Sequence, residues 1–260
     1  MGVPRGEHTA TVLADGRVLI VGGQGSGPIA SAEVYDPSTD VWTSAGSMAK
    51  GSVWRTTTLL KDGRLLSVGD SSIDMYDPST GEWAPVASMI YPRGEGHTAT
   101  PLEDGRVVVA GGIAVVDDTK RDVALTEIYD PSTGEWTLTG DMTERRTKHK
   151  ALLLKDGRVL AMGGRTTELY DPATGTWSAA GDFTRGHGTE MFSATLLQDG
   201  GVLVAGGRPC SHQANQPCGH ADLFDPSTGE WSSTGDMAFK ARAHTATLLN
   251  DGKVLVVEYQ

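Results

Sequence analysis

The stretch His8-Thr9-Ala10-Thr11-Val12-Leu13-Ala14-Asp15-Gly16-Arg17-Val18-Leu19-Ile20-Val21-Gly22-Gly23 decides the fold. It holds an extended run, an Asp-Gly turn, a β-rich run and a glycine pair, which is the pattern of a two-stranded hairpin. The same turn returns at Asp62, Asp104, Asp156, Asp199 and Asp251, at separations of 47, 42, 52, 43 and 52 residues. A period of about 40 to 50 residues marks a propeller blade or a helical array. No window keeps apolar residues at helical spacing without a Gly or Pro interruption, so the chain reads as all β.

Working outward, the glycine step recurs as Gly69-Asp70, Gly111-Gly112, Gly163-Gly164 and Gly206-Gly207. Missing side chains there allow a positive φ and a close approach of neighbouring backbone. A third strand then leads into Tyr35-Asp36-Pro37, Tyr76-Asp77-Pro78, Tyr129-Asp130-Pro131, Tyr170-Asp171-Pro172 and Phe224-Asp225-Pro226. Asp and Pro preset the turn that follows. A fourth strand carries Trp42, Trp83, Trp136, Trp177 or Trp231. Large rings at one repeat position are expected to wedge adjacent sheets together.

The double glycine, the Tyr and the Trp at these spacings resemble the kelch-repeat β-propeller family, including the central domain of galactose oxidase, over nearly the whole chain. The expected architecture is one all-β domain over residues 1–260, with four-stranded blades at about 5–48, 52–89, 93–142, 146–183 and 188–237. A half blade at 242–257 supplies only its first two strands, because no Tyr-Asp-Pro or Trp follows. Three outcomes are open for it: a ring of five blades and a half, a piece of a longer propeller, or a homo-oligomer that covers the unpaired edge.

Thirty-three acidic residues against 22 Lys and Arg leave a net charge of −11. Such a chain repels phosphate backbones and anionic membranes, which points away from nucleic acid and membrane partners. No apolar run approaches the roughly 20 residues needed to cross a bilayer, and the N-terminal Met-Gly-Val-Pro-Arg lacks the apolar core of a signal peptide. The expectation is a soluble chain, secreted if its cysteines, Cys210 and Cys218, form a disulfide.

The candidate chemistry lies in the long loops at 24–31, 113–126 and 208–221, where rigid scaffolds present function. In the last of these, Pro209-Cys210-Ser211-His212 is echoed by Pro217-Cys218-Gly219-His220. Cys210, His212, Cys218 and His220 make up the ligand set of a tetrahedral zinc site, with copper as the other candidate. The alternative is a Cys210–Cys218 staple worth roughly 2.6 kcal/mol, and free thiols are the third reading. His187 and Glu190, in the preceding connection, are placed to approach the same loop.

Seven residues before each Asp-Gly turn stand His8, Arg55, His97, His149, Phe192 and His244. Recurrence with the repeat favours a structural task, capping or hydrogen-bonding the first strand. The same loops carry Arg5, Arg93, Arg145, Arg146, Lys148, Arg185, Arg208 and Arg242. Together these make an expected positive mouth for an anionic or sugar ligand. Asp117, Asp118 and Asp122 lack the oxygen spacing of a calcium loop and read as a solvated hairpin tip.

The resemblance implies a binding scaffold that holds a protein or glycan on its loop face. It also implies an alternative, an enzyme at the channel mouth, since galactose oxidase, sialic acid mutarotases and iron-dependent nitrile specifiers share this ring. A copper radical oxidase of that kind needs two Tyr and two His, with one Tyr cross-linked to Cys, and Tyr91 is the loop Tyr that stands out. The Glu, Asp and His triplet of the nitrile specifiers is absent. A mutarotase would need only an acid and base pair such as His97 with Glu95 or Arg93.

Overall fold

The computed structural model describes residues 1–70, 72–116, 118–164, 166–185, 187, 190–208, 219–240 and 244–258, without the side chains of Glu190 and Arg208. Among them there is no helix, and the strands form five four-stranded antiparallel sheets and two two-stranded ones. The fold is a kelch-type β-propeller fold, with each four-stranded sheet one blade. The chain divides into two compact units, Met1–Thr139 and Gly140–Gln260.

The first unit holds three blades. Strands β1 (Thr9–Val12), β2 (Val18–Val21), β3 (Ser31–Asp36) and β4 (Val41–Ser47) pair in chain order, as do β5 (Thr56–Leu59), β6 (Leu65–Val68), β7 (Ile73–Asp77) and β8 (Glu82–Pro85). The third blade is built from β9 (His97–Pro101), β10 (Val107–Gly111), β13 (Thr126–Asp130) and β14 (Glu135–Leu138). Between β10 and β13 the chain makes an extra hairpin of β11 (Ile113–Val116) and β12 (Thr119–Asp122), with Asp118 in its turn. This is the expected solvated tip, although Asp117 lies outside the described residues.

The second unit repeats the plan. Its blades are β15 (Lys150–Leu153), β16 (Val159–Gly163), β17 (Thr166–Asp171) and β18 (Thr176–Asp182), then β19 (Glu190–Leu196), β20 (Val202–Arg208), β21 (Ala221–Asp225) and β22 (Glu230–Ser233). The half blade is the two-stranded sheet of β23 (His244–Leu248) and β24 (Val254–Glu258), with Leu255 and Val257 about half exposed on it.

Apolar alternation on the strands buries one layer between successive blades. Leu19, Val34, Leu65 and Tyr76 join the first two blades, Leu66, Met75, Val107 and Tyr129 the second and third, and Leu160, Met162, Val202 and Phe224 those of the second unit. Each Tyr or Phe sits against the Trp of its own blade with ring centres 5.0 or 5.1 Å apart. The indole N–H then reaches back one blade: Trp83 donates to the Ala45 carbonyl at 2.7 Å, Trp136 to Ala87 at 2.9 Å and Trp231 to Ala180 at 3.1 Å. For these three the wedge expected from the repeat is what the structure contains.

The glycine pair is also a backbone device. Gly207 has a φ of 104° and a Cβ added there would stand 2.1 Å from the His187 carbonyl oxygen. At Gly112, with a φ of 94°, it would meet the His97 side chain at 2.9 Å. In the fifth blade the chain leading in therefore passes directly against the end of the second strand, and in the third blade the start of the first strand does so.

Trp136 is 9% exposed and Trp42 36%. Trp136→Ala is expected to cost about 3–5 kcal/mol by cavity formation, and Trp42→Ala about 1 kcal/mol or less. Denaturant titration of the two variants measures the contrast.

Candidate functional site

The loop end of each blade is organised by a carboxylate on the third strand, two residues before the Tyr or Phe: Glu33, Asp74, Glu127, Glu168 and Asp222. All five are buried. Burial of a carboxylate is tolerated only with strong partners, and here the lead-in segment of the same blade supplies them. Glu33 accepts bonds from the Gly2 and Val3 N–H groups and from Arg5 at 3.0 Å. Asp74 accepts from the Ala49 N–H and from Arg55 at 3.3 Å. Glu127 is bound by the Ile90 and Tyr91 N–H groups and by Arg93, and neither side chain of that ion pair has any exposure. Glu168 holds the Thr143 N–H and hydroxyl at 2.7 Å and Arg146 at 3.0 Å.

The cations close the clamp on the other side. Arg5 donates to the Gly22 carbonyl at 2.9 Å and Arg146 to Gly163 at 2.6 Å, so the glycine step and the third strand are tied to one guanidinium. Burial works against the charge of Glu33 and Glu168, yet hydrogen bonds and the arginine outweigh it and hold both carboxyls below their usual range. Burial pulls Arg55 down against the opposing attraction of Asp74 and Asp70. The positive mouth expected from Arg5, Arg55, Arg93 and Arg146 is thus not built by them, because each guanidinium is buried and spent on a carboxylate of its own blade.

The fifth blade uses other residues for the same clamp. His187 replaces the arginine: Nδ1 faces the Gly206 carbonyl at 2.9 Å and Nε2 faces Asp222 at 3.2 Å. Both ring nitrogens meet acceptors, as two nitrogens of a guanidinium do elsewhere. Asp222 also accepts from the Thr184 hydroxyl and the Arg185 N–H, and these bonds with His187 hold its carboxyl below the usual range although burial opposes them. The His220 ring lies 4.6 Å from that of His187. The structure therefore brings His187 beside His220. Cys210, His212 and Cys218 lie outside the described residues, as do Arg242 and the side chains of Glu190 and Arg208.

The residues seven before each turn divide. His97 is buried: its Nδ1 donates to the Gly94 carbonyl at 2.6 Å and its Nε2 accepts from Thr56 of the preceding blade at 3.0 Å. Burial, with Arg93 nearby, lowers its pKa to about 4. His244 reaches back to Ser193 at 2.9 Å in the same way, and His149 is buried. His97 and His244 thus stitch their first strands to the preceding blade. His8 is exposed. Arg55 has left this line to serve as a clamp, and Phe192 is core, 2% exposed beside Phe183 and offering no surface to a ligand. Among the loop cations, Arg145 and Lys148 are exposed, and Arg185, its side chain 41% exposed, pairs with Asp236 at 2.7 Å. Sequence reading missed all five clamp acids, although their fixed place two residues before each ring was visible.

Residues 5–49 match the Kelch motif model. That stretch is a kelch repeat. A solved structure of similar fold is a fungal alcohol oxidase of the AA5 family, described as having catalytic diversity and being in complex with copper. It is 18% identical, with 96% of this chain and 69% of that chain covered and a TM-score of 0.61. At that identity the likeness is one of fold. Among the described residues, no three His, Cys, Asp or Glu side chains converge as metal ligands. Tyr91 is 47% exposed, with its N–H bound to Glu127. The described residues do not form the Tyr and His set that copper radical chemistry needs.

Two outcomes follow from the clamp and the stitch. Arg93→Ala is expected to cost about 3–5 kcal/mol, since Glu127 would be left buried and unpaired, whereas Arg185→Ala should change stability by about 0.5 kcal/mol or less. Unfolded His97 takes up its proton near 6.5 and folded His97 near 4. Its destabilising effect is absent above the higher value and grows as pH falls between them, reaching on the order of 2 kcal/mol near pH 5. His97→Asn should remove that part of the stability lost between about pH 7.5 and pH 5, read from urea midpoints.

Proposed function

We propose that this kelch protein is a non-catalytic binding scaffold, holding a protein or glycan ligand on the loop end of its blades. The observation that supports this most directly is the division between buried and exposed chemistry. The clamp charges are closed inside the blades, while Trp54, Ile90, Tyr91 and Val115 are each 43% exposed or more in the lead-in segments and the extra hairpin of the second and third blades. Large apolar side chains left open on rigid loops suit recognition, and the two aromatics suit a sugar face or a partner's apolar side chain. Binding to a glycan array by the intact protein should fall about tenfold or more in Trp54→Ala and Tyr91→Ala, a loss of about 1.4 kcal/mol. Unchanged binding in both variants counts against this surface.

One observation favours a second reading, an enzyme with a metal-dependent or acid/base site for a small anionic or sugar substrate. The only His–Asp clamp among the described blades, His187–Asp222, stands beside His220 at the root of the segment carrying Cys210, His212 and Cys218. Stoichiometric zinc or copper in the purified protein, lost in Cys210→Ser with the fold intact, would decide for this reading. Oxidised thiols without metal would decide for the disulfide staple.

A further inference from the structure

Six turns of the chain read Asp-Gly followed by one further residue, and in five of them that residue is a cation folded back on the Asp. Arg17 lies 2.8 Å from Asp15, Arg64 2.7 Å from Asp62, Arg106 2.6 Å from Asp104, Arg158 2.6 Å from Asp156 and Lys253 2.8 Å from Asp251. The exception is Asp199-Gly200-Gly201 in the fifth blade. Its Asp199 keeps the backbone bond from the Gly201 N–H at 2.9 Å, but no basic side chain among the described residues pairs with it.

The missing side chain leaves a particular kind of space. Clefts open on the turn end of the blades at three seams: about 510 Å³ between the first and second blades, lined by Arg17 and Arg64, and about 550 Å³ between the second and third, lined by Arg64 and Arg106. At the cleft between the fourth and fifth blades, about 490 Å³, Arg158 of the fourth blade reaches the Pro226 carbonyl at 2.9 Å, as Arg64 reaches Pro131 at 3.4 Å, but Gly201 of the fifth blade supplies no counterpart of Arg106. Leu223 and Phe224 line this cleft, together with Asp156, Asp199 and Asp225. Asp156 is already held by Arg158, and Asp225 by the N–H and hydroxyl of Ser227. Lys155 turns its ammonium to the Gln198 carbonyl. Asp199 is thus the carboxylate in the cleft whose turn cation is lacking.

We infer that this cleft is a docking site for an arginine side chain presented by a partner protein, which supplies in trans the guanidinium that the other turns supply in cis. The stem of such a residue would lie over Leu223, whose Cδ1 stands 3.4 Å from where a Cβ at position 201 would be, and its planar fork would meet Asp199, a geometry that suits arginine better than lysine. The chain's charge of −11 draws basic partners to the surface. This site lies at the opposite end of the sheets from the loops, and it stands whether or not those loops bind a ligand.

The experiment is a titration of the intact protein with N-acetyl-arginine amide, followed by the amide NMR shifts of Gly200, Gly201 and Ser227, with the uncharged N-acetyl-citrulline amide as control. Saturable shifts are expected with the arginine probe. They should be about tenfold weaker with citrulline, because the charge-assisted bond is lost, and absent in Asp199→Asn and in Gly201→Arg, which restores the internal pair. Asp199→Asn changes an exposed turn residue and decides the matter alone if Gly201→Arg does not fold. Shifts that do not saturate by about 50 mM, that are equal for citrulline, or that persist in Asp199→Asn would overturn the inference.

Discussion

A buried carboxylate two residues before the third-strand aromatic ring, closed by an arginine or, in the fifth blade, a histidine from the segment that leads into the blade, governs where each four-stranded blade of this protein begins. The pair costs desolvation, and replacing it with apolar groups need not weaken a fold. What it adds is position. The carboxylate takes up backbone N–H groups that a loop crossing the end of a sheet would leave unsatisfied, and the arginine ties the same loop to the glycine step. In the second, third and fifth blades tryptophan holds the blade to the one before it. The clamp holds each blade to its own entrance.

The local half of this design was open to reading from the residues. Asp-Gly turns, glycine steps, Tyr-Asp-Pro turns and Trp residues act within a few positions of themselves, so spacing alone revealed five blades and a half blade. The clamps join residues 19 to 35 positions apart, and their cations drift against the repeat: Arg5 precedes its histidine line by three residues, Arg93 by four, and Arg55 stands on it. Alignment on Asp-Gly therefore scattered them, and they read as a free positive surface. The acids keep strict register, but the arginines that close them are not the nearest upstream in sequence, which are Arg17, Arg64, Arg121 and Arg165, so the clamp shows only when each acid is set against the segment leading into its own blade. The cysteine segment had no repeat to be compared with.

The fifth blade departs from its neighbours at several equivalent places at once. His187 stands for arginine, Phe192 for the stitching histidine, Phe224 for tyrosine and Gly201 for the turn cation. Phe192 and Phe183 replace a hydrogen bond with an aromatic contact, which keeps the seam closed without the polar pair. The blade thus retains its packing while changing the chemistry at both of its ends. In a repeat fold this is the economical way to make one unit different, since each unit depends on its neighbours through the apolar layer.

The range of these contacts has a genetic corollary. The clamp is written wholly inside one repeat and the indole bond reaches only to the preceding one, so a single repeat is a self-contained cassette. Duplicating it copies lock and key together, and a daughter copy can diverge in its loops without waiting for a compensating change elsewhere in the gene.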